Sequence, residues 1–222
     1  MSIADNWNKI KNSLPAHVSL VAVSKFHPYE AVQELYDAGQ RMFGESRMQE
    51  IADKHRLLPD DIEWHFIGHL QRNKVKDIVP YIHTIHSGDS VRLLEEIDKQ
   101  TEDAKKEICC LLQIHIAEEE NKYGFGMDEC RDFLETGRWQ DYSYLYLGGL
   151  MGMATYTDDR EQIRGEFRKL KAFFDEVKQK YFADDNRFSE ISMGMSGDYQ
   201  IAVEEGATMV RIGTTIFGER EY

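Results

Sequence analysis

Residues 18–25 read VSLVAVSK. A nearly unbroken run of apolar and small residues suits a strand covered on both faces, as in a parallel sheet, better than a half-exposed strand with strict alternation. The run delivers one amine, Lys25, where the apolar pattern stops. A lysine buried at a strand end is unfavourable unless it is paired or neutral. Two readings of Lys25 therefore stand: an amine whose pKa is depressed far enough to act as a nucleophile, or an ordinary lysine reaching solvent from the strand end.

Working outward, Ser2 to Leu14 reads as an amphipathic helix with Ile3, Trp7, Ile10 and Leu14 at helical spacing and Pro15 as its stop, expected to cover one end of the domain. After the first strand, Pro28 opens a helix with Ala31, Val32, Leu35 and Ala38 on one face, and Gly39 closes it. The same alternation then repeats. Strands are expected at 41–44, 63–68, 83–87, 107–116, 144–151, 188–193 and 209–212. Helices are expected at 48–55, 73–79, from Asp89 (with Ser87 and Asp89 suited to its start), 127–136, 158–181 and 198–205, with GTTIFGEREY closing the chain. Eight strand-then-helix units after a leading helix, on 222 residues, predict an α/β fold: a single-domain (β/α)8 TIM barrel over 1–222 with an extra N-terminal helix. An open doubly wound sheet is the rival, since alternation does not say whether a sheet closes. The turn after the first strand is SKFHP, and the GxGxxG turn of a dinucleotide site is missing there.

Composition narrows the function. Lys plus Arg number 27 against 40 Asp plus Glu, a net charge of −13, and no basic stripe stands out to follow a phosphate backbone, so nucleic acid is not expected as a partner. The three cysteines, Cys109, Cys110 and Cys130, fit reduced thiols better than a disulfide framework; the first two, if in a strand, point opposite ways. With no apolar signal core near the start and no run long enough to span a bilayer, a soluble cytoplasmic protein, by default a monomer, is expected.

In a parallel barrel the chemistry sits at the C-terminal ends of the strands, and phosphate is commonly held after strands seven and eight. Those loops read SMGMS at 192–196 and RIGTT at 211–215. Gly194, Ser196, Gly213 and Thr214 supply close backbone approach and hydroxyl donors, a phosphate cradle; each tetrapeptide alone is more often an ordinary turn, and it is their joint placement in these two loops that points to phosphate. An amine after strand one and a phosphate cradle across strands seven and eight imply a ligand with an aldehyde and a phosphate on a small body. Pyridoxal 5′-phosphate fits, held by lysine Schiff-base chemistry.

The blocks VAVSK (21–25), FGES with MQE (43–50), WHFIGHLQRNKVK (64–76), GLMGMA (149–154), SMGMSGDY (192–199) and VRIGTTIFGER (210–220) resemble the YggS-like pyridoxal-phosphate homeostasis proteins, from the first strand almost to the C-terminus. That family is similar in fold to the barrel domain of alanine racemase. The resemblance implies that Lys25 is the Schiff-base lysine, that Arg211 faces the pyridine nitrogen, and that Ser196, Gly213 and Thr214 hold the phosphate. It also implies intracellular cofactor homeostasis or transfer, with apo forms of pyridoxal-phosphate enzymes as recipients. The family usually has Asn where this chain has Ser46, and often Asn where it has His115. His115, in an apolar strand, reads as a core residue or a cofactor neighbour.

Other features read as structure. His65 and His69 are four apart but on a strand and turn, so no metal site is expected. Glu118, Glu119 and Glu120 beside Lys122 read as a solvated rim, and Met151 and Met153 as packing at the barrel mouth. Three classes of function stand: a pyridoxal-phosphate carrier without robust catalysis, an amino-acid racemase or related enzyme, and a phosphate-binding aldolase. Alanine racemase adds a β domain that supplies a second base, and with Tyr222 a few residues past the eighth strand that domain is expected to be absent.

Overall fold

The computed structural model describes residues 2–118 and 123–219. Its centre is a parallel sheet of β1 (Ser19–Val23), β2 (Met42–Glu45), β3 (Glu63–Phe66), β4 (Thr84–Gly88), β5 (Ile108–Gln113), β6 (Leu145–Met151), β7 (Glu190–Ser192) and β8 (Met209–Ile212). The strands pair in sequence order, and β8 pairs back onto β1 through Ser19↔Met209 to Ala22↔Ile212, so the sheet is a closed barrel. That closure excludes the open sheet.

Around it run α1 (Ile3–Ser13), α2 (Tyr29–Asp37), α3 (Met48–His55), α4 (Val75–Ile78), α5 (Val91–Ala104), α6 (Met127–Glu135), α7 (Arg160–Tyr181), α8 (Tyr199–Glu204) and α9 (Thr214–Phe217). The main core lies between barrel and helices, where outward strand residues such as Phe43, Trp64 and Cys110 meet Leu35, Leu94, Phe167 and Leu170. Cys109, next to Cys110, packs instead with Leu111 and Met151 in a separate small cluster, so the adjacent thiols do face opposite ways.

α1 begins with a capping box between Ser2 and Asp5. It does not close an end of the barrel as expected. It lies in the outer layer against α2 and α9, where Asn6 Nδ2 donates to the Ile216 carbonyl (3.1 Å) and Trp7 Nε1 to Gln40 Oε1 (2.8 Å). The physical reason is the shortness of α9: four residues cannot cover the β8–β1 seam, and α1 supplies the missing apolar face. The start of α5 also differs. Ser90 is its N-cap, Ser87 belongs to β4, and Asp89 turns to His69.

Candidate functional site

Lys25, Ser196, Arg211, Gly213 and Thr214 line one cavity of about 800 Å³ at the C-terminal end of the barrel. Val23, His27, Met153, Ala154, Asp198 and the 155–157 segment are also part of its wall. Each position follows from the strand pleat. Val23 ends β1 facing inward, Ser24 turns outward, and Lys25 returns to the cavity, half-buried. Arg211 is the third residue of β8, buried to 4% exposure, and Gly213 and Thr214 follow the strand end.

The cradle loops after β7 and β8 are tied together, the Thr215 N–H donating to Ser196 Oγ at 3.4 Å. A Cβ at Gly213 would stand 3.1 Å from the Val23 carbonyl oxygen, so that loop packs tightly on the end of β1. At Gly197 a Cβ would meet nothing within 4 Å, which leaves its backbone open to a ligand. Gly194 has a turn role: its φ of +92° and the approach of Ala202 exclude a side chain, and its carbonyl accepts the Arg211 N–H. Two carboxylates, one on α7 and one just before α8, pin the neighbouring loops. Buried Glu166 of α7 accepts from the Thr155 N–H (2.7 Å) and hydroxyl (2.6 Å), and Asp198 accepts from the Met195 N–H at 2.6 Å.

Arg211 is oriented from below. Its Nη1 donates to the Ser192 carbonyl (2.8 Å) and Oγ (2.6 Å), and its Nη2 to the Gly152 carbonyl at 3.2 Å. Burial lowers its pKa to about 10, opposed by the Asp198 charge, so it remains a cation at neutral pH. Ser192 Oγ then meets His86 Nδ1 at 3.0 Å, and His86 Nε2 meets His65 Nδ1 at 2.9 Å. β4 and β7 are not neighbours in the barrel, so this chain crosses the lumen. Guanidinium only donates, so Ser192 Oγ accepts from Arg211. Burial holds His65 down to about 3 and His86 well below its ordinary value, so both rings are neutral.

Sequence reasoning gave His65 no role beyond rejecting it as a ligand and did not single out His86, Ser192 as a side-chain partner, or Glu166. The available signal was polarity at inward positions of apolar strands. His69 pairs with Asp89 at 3.1 Å and stacks on Tyr123, far from a metal-ligand set with His65; among the described residues no group of three or more His, Cys, Asp or Glu is placed to hold a metal. His115 lies beyond the end of β5, half-buried, because the strand stops at Gln113, and so is not a strand-core residue. Ser46 lines a smaller neighbouring cavity of about 190 Å³ with Arg47 and Lys74. Met153 lines the main cavity, and Met151 packs inside the barrel. The expected acidic rim at 119–120 and its neighbour Lys122 lie outside the described residues.

Comparison with known proteins shows the family. The family of the alanine racemase N-terminal domain matches residues 1–221. The pyridoxal phosphate homeostasis protein of Aquifex aeolicus is 39% identical over 205 residues, 91% of this chain and 87% of that protein. Its counterpart in Synechocystis is 36% identical over 219 residues, covering 96% and 97%. PipY of Synechococcus elongatus, solved with PLP bound, superposes with a TM-score of 0.88 at 35% identity over 98% of this chain and all of that one. Alanine racemase of Clostridium difficile superposes at 0.78 and 17% identity, with 56% of its own length covered, which shows the shared barrel alone. The chain belongs to the alanine racemase N-terminal domain family and, within it, to the group of the pyridoxal phosphate homeostasis proteins.

Proposed function

We propose that this protein binds pyridoxal 5′-phosphate and acts in its homeostasis, holding the cofactor and passing it to apo-enzymes, and that it is not an efficient racemase. The observation that carries this reading is the donor set of one cavity: an amine, a buried guanidinium, and hydroxyl and glycine positions on two joined loops. About 800 Å³ lies within the range of cavities that take ligands of this size. The relatives named for this role, and the one solved with PLP, match along nearly the whole chain.

When bound, the cofactor supplies an aldehyde that a lysine amine can capture and an amine competitor can release. The chain's own residues do the rest. Lys25 presents the amine; Ser196, Gly213 and Thr214 present donors suited to a phosphate; Arg211 presents a fixed positive charge. A guanidinium kept charged and immobile disfavours protonating any basic nitrogen set against it, which weakens carbanion chemistry and leaves capture and release. The racemase reading rests on likeness of fold alone.

Titration with pyridoxal 5′-phosphate and with pyridoxal tests this directly. The phosphorylated form should bind far more tightly, and Thr214→Ala should weaken it by about one to two decades, the loss of a hydrogen bond to a charged group. Equal affinity for the two aldehydes would place the phosphate elsewhere. Alanine racemisation at the usual enzyme scale of ~1 to 1000 per second would restore the enzyme reading.

A further inference from the structure

The turn that carries Lys25 is gripped from outside the barrel by charged side chains that do not line the cavity. Before Lys25, the Ser24 carbonyl accepts from Lys54 Nζ of α3 at 2.8 Å, and Ser24 Oγ donates to Glu45 Oε1 at 2.6 Å. After Lys25, the Phe26 N–H donates to Glu50 Oε2 of α3 at 2.8 Å. Lys54 Nζ completes the set, 2.5 Å from Glu45 Oε1 and 3.6 Å from Glu50 Oε2. Both residues flanking Lys25 are thus tied to α3, on the side opposite the cavity. Phe26 has a φ of +68°, a left-handed conformation that bulky residues rarely adopt and that persists only where the surroundings impose it. The Arg47 guanidinium also lies 4.5 Å over the Phe26 ring, and His27 stacks on Phe217.

Stability alone does not account for this grouping. Glu45 is fully buried and Lys54 nearly so, and an ion pair removed from water is weak evidence for stability, since apolar residues of like volume often serve as well. Apolar residues could not accept the Phe26 N–H or donate to the Ser24 carbonyl. We propose that Glu50 and Lys54 are positioning residues for Lys25: they hold the peptide groups on either side of it and so fix the strained turn that aims its amine into the cavity. This rests on the cofactor-binding reading above and names residues of the same site to which no role has been given.

The test compares Glu50→Ala, which removes the acceptor, with Glu50→Gln, whose amide oxygen can still accept the Phe26 N–H. Glu50 is only partly buried, so neither change should unfold the chain; Asp53→Ala, on the exposed side of α3, is the control. Without cofactor, amide exchange at Phe26 should speed up at least about tenfold in Glu50→Ala, the loss of one charge-assisted hydrogen bond, and by clearly less in Glu50→Gln, whose amide oxygen keeps the bond without the charge. With pyridoxal 5′-phosphate, Glu50→Ala should bind about tenfold more weakly by the absorbance of the bound form, and borohydride should fix a larger share of cofactor on other lysines. Asp53→Ala should match the parent, and Glu50→Gln should lie between the parent and Glu50→Ala. Faster exchange at Phe26 with parent-like affinity and parent-like fixation at Lys25 would overturn the positioning role while leaving the binding reading intact. Failure of the parent itself to capture cofactor at Lys25 would overturn the binding reading, and this inference with it.

Discussion

His65 and His86 are neutral imidazoles closed inside the barrel, and their titration ties the fold to pH. Each has an ordinary value of 6.5 that burial depresses, His65 to about 3. A group depressed in the folded state contributes stability that is lost as pH falls below the unfolded value, because the unfolded chain then binds the extra proton. Glu45 has the opposite sign. Burial raises it from 4.5 to about 7 against the pull of Lys54 and Ser24, so its contribution is complete below 4.5 and is lost as pH rises through 7. Between pH 6.5 and 4.5 two histidines oppose one glutamate. Acidification through that window should therefore cost stability through the two histidines, with Glu45 offsetting part of the loss. Equilibrium denaturation across that window checks it, and a stability that stays flat or rises toward pH 4.5 would mean that the pair is protonated inside the fold. None of this chain was legible residue by residue, since His86 and Ser192 are 106 positions apart and meet only because the sheet closes.

At the scale of elements, strands and helices were legible because their periods are local. The apolar run at β5 and the amphipathic pattern of α7 each announce themselves within a few turns or pleats. Closure was legible only indirectly, from the count of eight units and the missing GxGxxG turn, because it depends on eight strands tilting together; the placement of α1 against α2 and α9 was not legible from its local pattern. Gly149 is where strand spacing is least forgiving. It sits where β6 pairs with β7 opposite Glu190, and a Cβ there would fall 1.9 Å from the Glu190 carbonyl oxygen. Gly149→Ala must push the two strands apart, and we expect it to destabilise by about 3 kcal/mol or more, well beyond an ordinary glycine replacement. Thermal or denaturant unfolding measures this. A loss under about 1 kcal/mol would show that β6 can shift within the sheet at little cost.

For the molecule as a whole, the site is made by bringing the two ends of the barrel sequence together. Lys25 follows the first strand, while Ser196, Arg211, Gly213 and Thr214 come from the last two, and pairing of β8 with β1 makes them neighbours. The placing of Lys25, Ser196, Gly213 and Thr214 at one end of the barrel was legible from strand-end position and residue type, and Arg211 entered only through the family resemblance. The supports beneath them were not legible. Glu50 and Lys54 look like ordinary charges on an amphipathic helix until α3 is laid against the Lys25 turn. The account as a whole depends on Lys25 being the amine that captures the cofactor. Loading the protein with pyridoxal 5′-phosphate, reducing with borohydride and mapping the modified peptide tests that in one step. The pyridoxyl group should be found on Lys25; finding it mainly on Lys74, Lys122 or another lysine would contradict the account.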